Sequence, residues 1–486
     1  MTILEERGVF WWHDEEVPVG LLAPNSRISG RCQIEDDGRA ILDLDGCLPT
    51  PDGPMEMMAG SPVTKCIQGL LKDSGERILF SDLARSGGRF SLNGTSFEKF
   101  VAMNTIVGGS PFPCGSLSPK FDILEIPLNG FENWLQLGAI KVAEGEQTIS
   151  ATYEKPDDLS YVCDDGKFSI EFGVTIDSSG VRSAHAFSLK ESALLRLCLD
   201  DSQALSEWQT QYGMLEDLLK VLTGSDYRLD WPRVSLGGGS KWRWFFARLK
   251  SNESVPAPEF HNLVTSFSDL RGQFGAIWSR WKVMREEFGP GIYLYLGTRR
   301  GMKLYVEHRF VNLIWGLEAF HRTKYDSKGS VAIANKVERI LDNITIAKDK
   351  RWLRHKLQNA HEPALEQRLL EIFAALPIGL TKEGLHAFSK ACGDRRNDIS
   401  HFGGQRKGGT YLEFMHDLDR KSGILSTLYH ALLLHELGIG AVTLQRWLYQ
   451  SFGSHEIKSD LIRSGLLNPN AAPTSGSAAP DGSIKS

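Results

Sequence analysis

The chain has 486 residues, of which 41% are hydrophobic and 24% charged, a balance typical of a globular protein with two or three domains. Its net charge of −5 excludes a protein that is cationic throughout, so any nucleic-acid site must be a local basic patch. The seven cysteines are spread singly, and no basic region with an apolar run or long apolar span is visible, so we expect a cytoplasmic protein with reduced thiols and no membrane segment.

Residues 1–200 are predicted to form a β-rich domain, either a sandwich or a barrel. Short alternating runs are separated by turn signals such as Asp37-Gly38 and Asp45-Gly46. The clearest predicted strands cover 31–34, 40–44, 77–80, 121–126, 148–153 and 168–172. Residues 201–265 are predicted to be a helical and mixed connector, which opens with apolar residues at helical spacing from Leu205 to Leu222.

Residues 266–460 carry helical periodicity and are predicted to form an all-α bundle, so the fold class is α+β. The predicted helices cover 303–321, 331–344, 350–360, 363–376, 383–401, 423–437 and 441–451. Residues 461–486 end in a low-complexity stretch rich in Pro, Ser and Gly, and we predict a disordered tail there.

One short run within this helical half combines residue types suited to phosphodiester chemistry. Arg396, Asn397 and His401 lie within six positions, with Arg395 before them and Asp398 between them. On an ideal helix Asn397 and His401 share a face, whereas Arg396 lies about 140° from His401 and must reach round with its long side chain. The alternative interpretation is a solvated helix end with a histidine that only caps it.

The residue types indicate a reaction that needs neither a metal nor a cofactor. RNA carries its own nucleophile, the 2′-hydroxyl group, so a protein need only move protons and stabilise the charged phosphorane. Histidine can transfer either proton, and arginine suits the phosphoryl oxygens. Since one histidine does not easily serve as both base and acid, we predict a two-fold dimer that brings a second Arg396 and His401 into one composite site.

Basic residues near the motif suggest a path for an RNA backbone. They are Arg406 and Lys407, just after the motif, and Lys350, Arg351 and Arg354 on a neighbouring predicted helix. For any single one of these residues, the alternative is an ordinary charged, exposed helix face.

The helical half resembles a HEPN domain of the ApeA type. The resemblance lies in the Arg-x4-His run from Arg396 to His401 and in the earlier helix 310–321. The N-terminal part is similar to the ApeA N-terminal domain through three runs, which are 8–12, 17–22 and 38–46. The two similarities come in the expected order and together cover most of the chain.

This resemblance implies an antiphage defence protein whose HEPN domain is an endoribonuclease that leaves 2′,3′-cyclic phosphate ends. It implies catalytic roles for Arg396 and His401, a supporting polar role for Asn397, and leaves Arg395 open as the alternative arginine. It adds Glu318 and His321 as candidates that face the same cleft. The expected partners are a tRNA or mRNA substrate, a second copy of the HEPN domain in a homodimer or higher homo-oligomer, and a phage-derived trigger.

Two other functions remain open at this point. One is a regulatory module that keeps the HEPN bundle and binds nucleic acid or nucleotides without cleaving them. The other is a partner of a nucleotidyl- or adenylyl-transfer enzyme, because some HEPN proteins pair with such enzymes.

Overall fold

A computed structural model describes residues 2–49, 63, 65–91, 94–112, 114, 119–163, 166–178, 187–235, 241–248, 255–299, 304–325, 331–358, 360, 362–402 and 409–469. For residues 331, 401 and 402 it describes the backbone alone. The chain divides into two compact units, one made of 1–217 and 227–257 and the other of 218–226 and 258–486. The segment 201–265, for which the sequence predicts a connector, therefore contributes to both units.

The first unit is built from antiparallel strands, as its alternating runs predict. The described strands are β1 (Thr2–Trp12), β2 (Ile28–Glu35), β3 (Ala40–Leu44), β4 (Ile67–Leu71), β5 (Arg77–Arg89), β6 (Phe97–Gly108), β7 (Lys120–Pro127), β8 (Ile140–Glu144), β9 (Ile149–Tyr153), β10 (Leu159–Cys163), β11 (Gly166–Ser178), β12 (Phe187–Ala204), β13 (Arg233–Ser235) and β14 (Arg243–Ala247). A short helix, α1 (Glu132–Leu135), follows β7. Five of the six strands predicted from the sequence lie within these elements, and the sixth, 148–153, begins one residue before β9.

Six strands close into a barrel in the order β6-β3-β2-β1-β4-β5, because β5 pairs back onto β6. Alternate residues point inward, as in β3, where Ala40, Leu42 and Leu44 are buried and Asp43 is exposed. The barrel core includes Phe10 and Phe80. The sequence left a sandwich and a barrel open, and the pairing of β5 with β6 decides for the barrel.

A second sheet region grows from the same long strand. One edge of β6 pairs with β3 along Glu98–Ala102 and then with β14 along Asn104–Val107. From β14 the sheet continues through β13, β7, β12, β11 and β10. The helix α2 (Leu205–Thr223) begins in this unit, where Trp208 is fully buried and donates its indole N–H to the Phe121 carbonyl at 3.1 Å.

The second unit is helical, as the 3.6-residue periodicity predicts. Its described helices are α3 (Phe267–Leu270), α4 (Phe274–Glu287), α5 (Gly289–Gly297), α6 (Val306–Tyr325), α7 (Val331–Asp342), α8 (Ala347–Leu357), α9 (Leu365–Ala374), α10 (Lys382–Phe402), α11 (Tyr411–Glu436), α12 (Ala441–Tyr449) and α13 (Ser454–Arg463). A single 3₁₀ turn, Phe260–Asn262, precedes them. The α+β class expected from the sequence is confirmed.

Helices α5, α6 and α11 pack closely around Tyr429, which is fully buried. A side chain at Gly316 would place its Cβ atom 2.9 Å from the Tyr429 hydroxyl oxygen and 3.2 Å from the Gly291 carbonyl oxygen. Only glycine therefore lets the backbones of α5 and α6 approach this closely. Phe288 and Phe320 stack beside this contact with ring centroids 4.2 Å apart.

Several helices differ from their predicted extents, and α13 has no predicted counterpart. Helix α11 begins at Tyr411 rather than near residue 423, because Thr410 and Glu413 form a capping box at its N-terminus. Helix α13 and the fully buried Leu466 continue the helical unit beyond residue 461, where the disordered tail was predicted to begin. Residues 470–486 lie outside the described part of the chain.

Candidate active site

Helix α10 carries the Arg396–His401 motif in its last two turns. Its buried side chains Leu385, Phe388 and Cys392 recur every three or four residues, so one face of the helix packs inward. Because the helix continues to Phe402, its backbone places Asn397 and His401 on the same face, one turn apart. The side chain of His401 lies outside the described part of the structure.

The side chain of Arg395 is fixed by ion pairs to two carboxylates. Its Nε atom donates to Asp417 Oδ2 on helix α11 at 2.6 Å, and its Nη1 atom donates to Asp398 Oδ2 at 3.2 Å. Its guanidinium group also lies over the ring of Phe414, 5.2 Å from the centroid. Burial opposes the charge, but the hydrogen bonds that Arg395 donates to Asp417 and Asp398 raise the pKa of Arg395 above its ordinary value.

The carboxylate of Asp417 is the centre of this cluster. It accepts hydrogen bonds from Lys421 and Arg395 and a longer one from Arg420 at 3.4 Å. Burial tends to raise the pKa of Asp417, and the bonds from Lys421 and Arg395 outweigh burial, so the pKa lies below its ordinary value. The cluster joins the end of α10 to the first turns of α11. Asp417 is not among the residues that the sequence predicts for this site, although the Thr410–Glu413 capping box indicates a helix start just before it.

Arg396 is much less constrained than its neighbour. Its Nη2 atom lies 4.0 Å from Glu318 Oε2 on helix α6, and its Nη1 atom donates to Asn397 Oδ1 at 3.4 Å. Its Nε atom is buried and has no hydrogen-bond partner among the described residues. The side chain is 34% exposed, so a guanidinium group with free donors faces solvent where α6 and α10 meet.

The two weaker candidates on helix α6 have different surroundings. Glu318 lies beside Arg396, whereas the buried His321 pairs its Nε2 atom with Glu371 Oε2 on helix α9 at 2.6 Å. Burial lowers the pKa of His321 and outweighs the opposing effect of Glu371. His321 is therefore poorly placed to exchange protons with a substrate, whereas Glu318 approaches the motif arginine.

The predicted RNA-binding residues are only partly described. Arg406 and Lys407 lie outside the described residues. Helix α8 contains no buried residue, and its Lys350 and Arg354 approach carboxylates of α7, Asp342 at 3.1 Å and Glu338 at 3.5 Å. Arg351 and the aromatic Trp352 are exposed on the same helix.

A second histidine cluster lies in the core of the helical unit. His430 Nδ1 is 2.6 Å from the Tyr295 hydroxyl oxygen, and its Nε2 atom is 2.8 Å from the Val221 carbonyl oxygen. Burial, reinforced by the nearby Arg299, lowers the pKa of His430 to about 3. His430 is thus a neutral core residue with both ring nitrogens in hydrogen-bond contact.

The described residues contain neither a candidate metal site nor a candidate membrane span. No cluster of three or more His, Cys, Asp or Glu side chains is placed to hold a metal ion in that part of the chain. Within the same residues, no helix is both long and apolar enough to cross a membrane.

A barrel-containing N-terminal unit followed by a helical unit with Arg-x4-His at the end of a long helix defines a two-part HEPN protein. The family model for ApeA N-terminal domain 1 matches residues 5–281, and the model for Apea-like HEPN matches residues 311–442. The chain therefore belongs to the ApeA-like family, with a C-terminal HEPN domain. Neither the curated proteins nor the solved structures contain a significant match to this chain.

Proposed function

We propose that this protein is an antiphage defence effector and that its HEPN domain cleaves RNA. Proteins with HEPN domains are generally ribonucleases, and the ApeA-like family is consistent with a role in defence. The observation that carries the proposal is the state of Arg396, a half-buried guanidinium group with a buried Nε atom that has no partner among the described residues. Such a group can donate hydrogen bonds to a phosphoryl oxygen.

The contrast between the two adjacent arginines assigns their roles within this proposal. Arg395 already donates to Asp417 and Asp398, and breaking these contacts to bind a phosphate would remove a cationic partner from two largely buried carboxylates. Arg396 would give up only a 4.0 Å approach to Glu318 and a long contact to Asn397. Arg396 is therefore the catalytic arginine of the proposal, and Arg395 orients the end of α10.

His401 supplies proton transfer in this mechanism. It deprotonates the 2′-hydroxyl or protonates the 5′-oxygen leaving group, while Arg396 stabilises the pentacoordinate phosphorane. The products are a 2′,3′-cyclic phosphate and a free 5′-hydroxyl. The second proton transfer comes from the His401 of a second copy, and the substrate is tRNA or mRNA.

The experiment uses the full chain, total tRNA and a long unstructured RNA, with EDTA present. We expect wild type to cut RNA, and His401→Ala and Arg396→Ala to reduce the cleavage rate at least about a hundredfold, which is the low end of a general acid–base contribution. Treatment of the product ends with acid, followed by phosphatase, identifies a 2′,3′-cyclic phosphate.

Matched controls keep the result specific. His386→Ala changes an exposed histidine of the same helix, and Arg463→Ala an exposed arginine of α13, so both should cut RNA at the wild-type rate. Cleavage that survives in His401→Ala would exclude the assigned site. RNA binding without any cleavage by wild type would instead favour the non-catalytic HEPN module.

A further inference from the structure

A cavity of about 720 Å³ opens at one end of the barrel. Its walls come from the middle of β1, the β4–β5 turn, Leu22 and the segment that follows β6. This volume lies within the range of about 300–1,000 Å³ that is usual for small-molecule sites, and barrel mouths are frequent places for such sites. The cavity belongs entirely to the first unit of the chain.

The charged side chains described around this cavity are all cationic. Arg7, Lys72 and Arg77 line it, and no Asp or Glu is among its described lining residues. Arg7 is paired with Asp45 at 2.5 Å, but both side chains are more than half exposed, so that pair is weak. Three cations around one concave surface create a positive potential that attracts an anion.

Arg77 is the most informative of the three cations. It is only 6% exposed, and its Nη1 atom donates a hydrogen bond to the Leu22 carbonyl oxygen at 2.6 Å. It also lies 5.9 Å from the ring centroid of Trp11. Burial lowers the pKa of Arg77, and no carboxylate offsets this among the described residues. A buried cation without a carboxylate is costly to fold, and an anionic ligand would offset that cost.

A second buried arginine contacts a residue of the cavity wall. Arg243 is 4% exposed, donates from Nη2 to the Pro111 carbonyl oxygen at 3.4 Å, and lies over Phe112 at 4.9 Å. Pro111 itself lines the cavity. Strand β6 ends between the two arginines, since Gly108 pairs with Arg77 on one side and contacts Arg243 on the other. The buried cations Arg77 and Arg243 therefore lie on the two sides of the end of β6.

We propose that this cavity is a binding site for a small organic phosphate of nucleotide size. The phosphate groups would contact Arg77 and Lys72, and the organic part would lie against the apolar wall of Val9, Leu22, Leu70 and Pro111. The site is separate from the motif of helix α10, and its existence does not depend on RNA cleavage.

Calorimetric titration of the full chain with ATP tests the proposal, with adenosine and inorganic phosphate as parallel arms. We expect saturable binding of one ATP per chain. Adenosine, which lacks the charged phosphate groups, and inorganic phosphate, which lacks the nucleoside, should each bind at least tenfold more weakly. Lys72→Glu reverses an exposed charge at the rim, and Gly109→Leu fills the cavity from a position with no atom within 4 Å of an added Cβ. Each should weaken ATP binding at least tenfold.

Two control variants match these changes away from the cavity. Lys120→Glu reverses an exposed charge at the start of β7, and Gly213→Leu adds a side chain in α2, where no atom lies within 4 Å of an added Cβ. Both should bind ATP as wild type does. An absence of ATP binding by wild type would overturn the proposal, and so would equal affinity in wild type, Lys72→Glu and Gly109→Leu.

Discussion

At the scale of single residues, the two neighbouring arginines show what the sequence could and could not specify. The run Arg395-Arg396-Asn397 marks the site, but either arginine satisfies the spacing of the motif. The distinction depends on Asp417, which lies 22 positions later in the chain and is brought to Arg395 only by the packing of α11 against α10. Contacts between helices distant in sequence are not visible in a local pattern.

This difference predicts that the two arginines contribute unequally to the free energy of unfolding. Arg395→Ala should lower the free energy of unfolding by about 1–3 kcal/mol, because Asp398 and Asp417 lose a partner while mostly buried. Arg396→Ala should change it by less than about 0.5 kcal/mol, as expected for a side chain without a strong partner. Urea unfolding of the full chain at pH 7, followed by circular dichroism, measures both values. Equal losses in the two variants would contradict the assignment of their roles.

At the scale of secondary-structure elements, periodicity identified most strands and helices but misjudged some boundaries. Alternation located β3 at its observed limits, and helical spacing located α10 to within a residue at each end. The predicted start of α11 lies 12 residues too late, although the buried Phe414 and Leu418 extend the helical spacing towards the N-terminus, and the capping box is the signal that marks the true start. The short strands β13 and β14 lie in a segment without clear alternation and depend on pairing with β7 and β6.

Packing between elements also makes the free energy of unfolding depend on pH in a way that the sequence does not reveal. His430 joins α11 to Tyr295 of α5 and to Val221 near the end of α2, and burial lowers its pKa from 6.5 to about 3. Below pH 6.5 the unfolded chain therefore binds a proton at this residue that the folded chain does not bind. The stability contributed by neutral His430 is complete above that pH and is lost by about 1.4 kcal/mol per pH unit as the pH falls.

A comparison of wild type with His430→Gln isolates this contribution. The difference between their free energies of unfolding should shrink by about 2 kcal/mol between pH 6.5 and pH 5, because only wild type carries the titrating group. Urea unfolding at several pH values gives this difference. A constant difference over this pH range would show that His430 is not buried in its neutral form.

At the scale of the whole molecule, the order of the two units was predictable, and the closure of the barrel was not. The change of period near residue 200 separates strands from helices in the sequence. The barrel closes because β5 pairs with β6 while β3 and β14 share the other edge of β6, and such pairings join segments far apart in the chain. The cavity at the barrel end follows from this closure, so its cations Arg7, Lys72 and Arg77 are scattered in the sequence.

The proposed mechanism also requires a dimer, because two proton transfers call for two copies of His401. If each active site needs both histidines, random pairing with an equal amount of His401→Ala subunits leaves about one quarter of the dimers fully active. If each chain acts alone, about one half of the activity per total chain remains. Co-expression of wild type and His401→Ala with different tags, followed by cleavage assays on the total pool, separates these values.

Arg463→Ala, an exposed variant far along the chain on α13, replaces His401→Ala in the control pool, where activity should not fall. A pool that retains one half would show that a single His401 suffices, and the composite site would then be wrong even if the HEPN domain cleaves RNA.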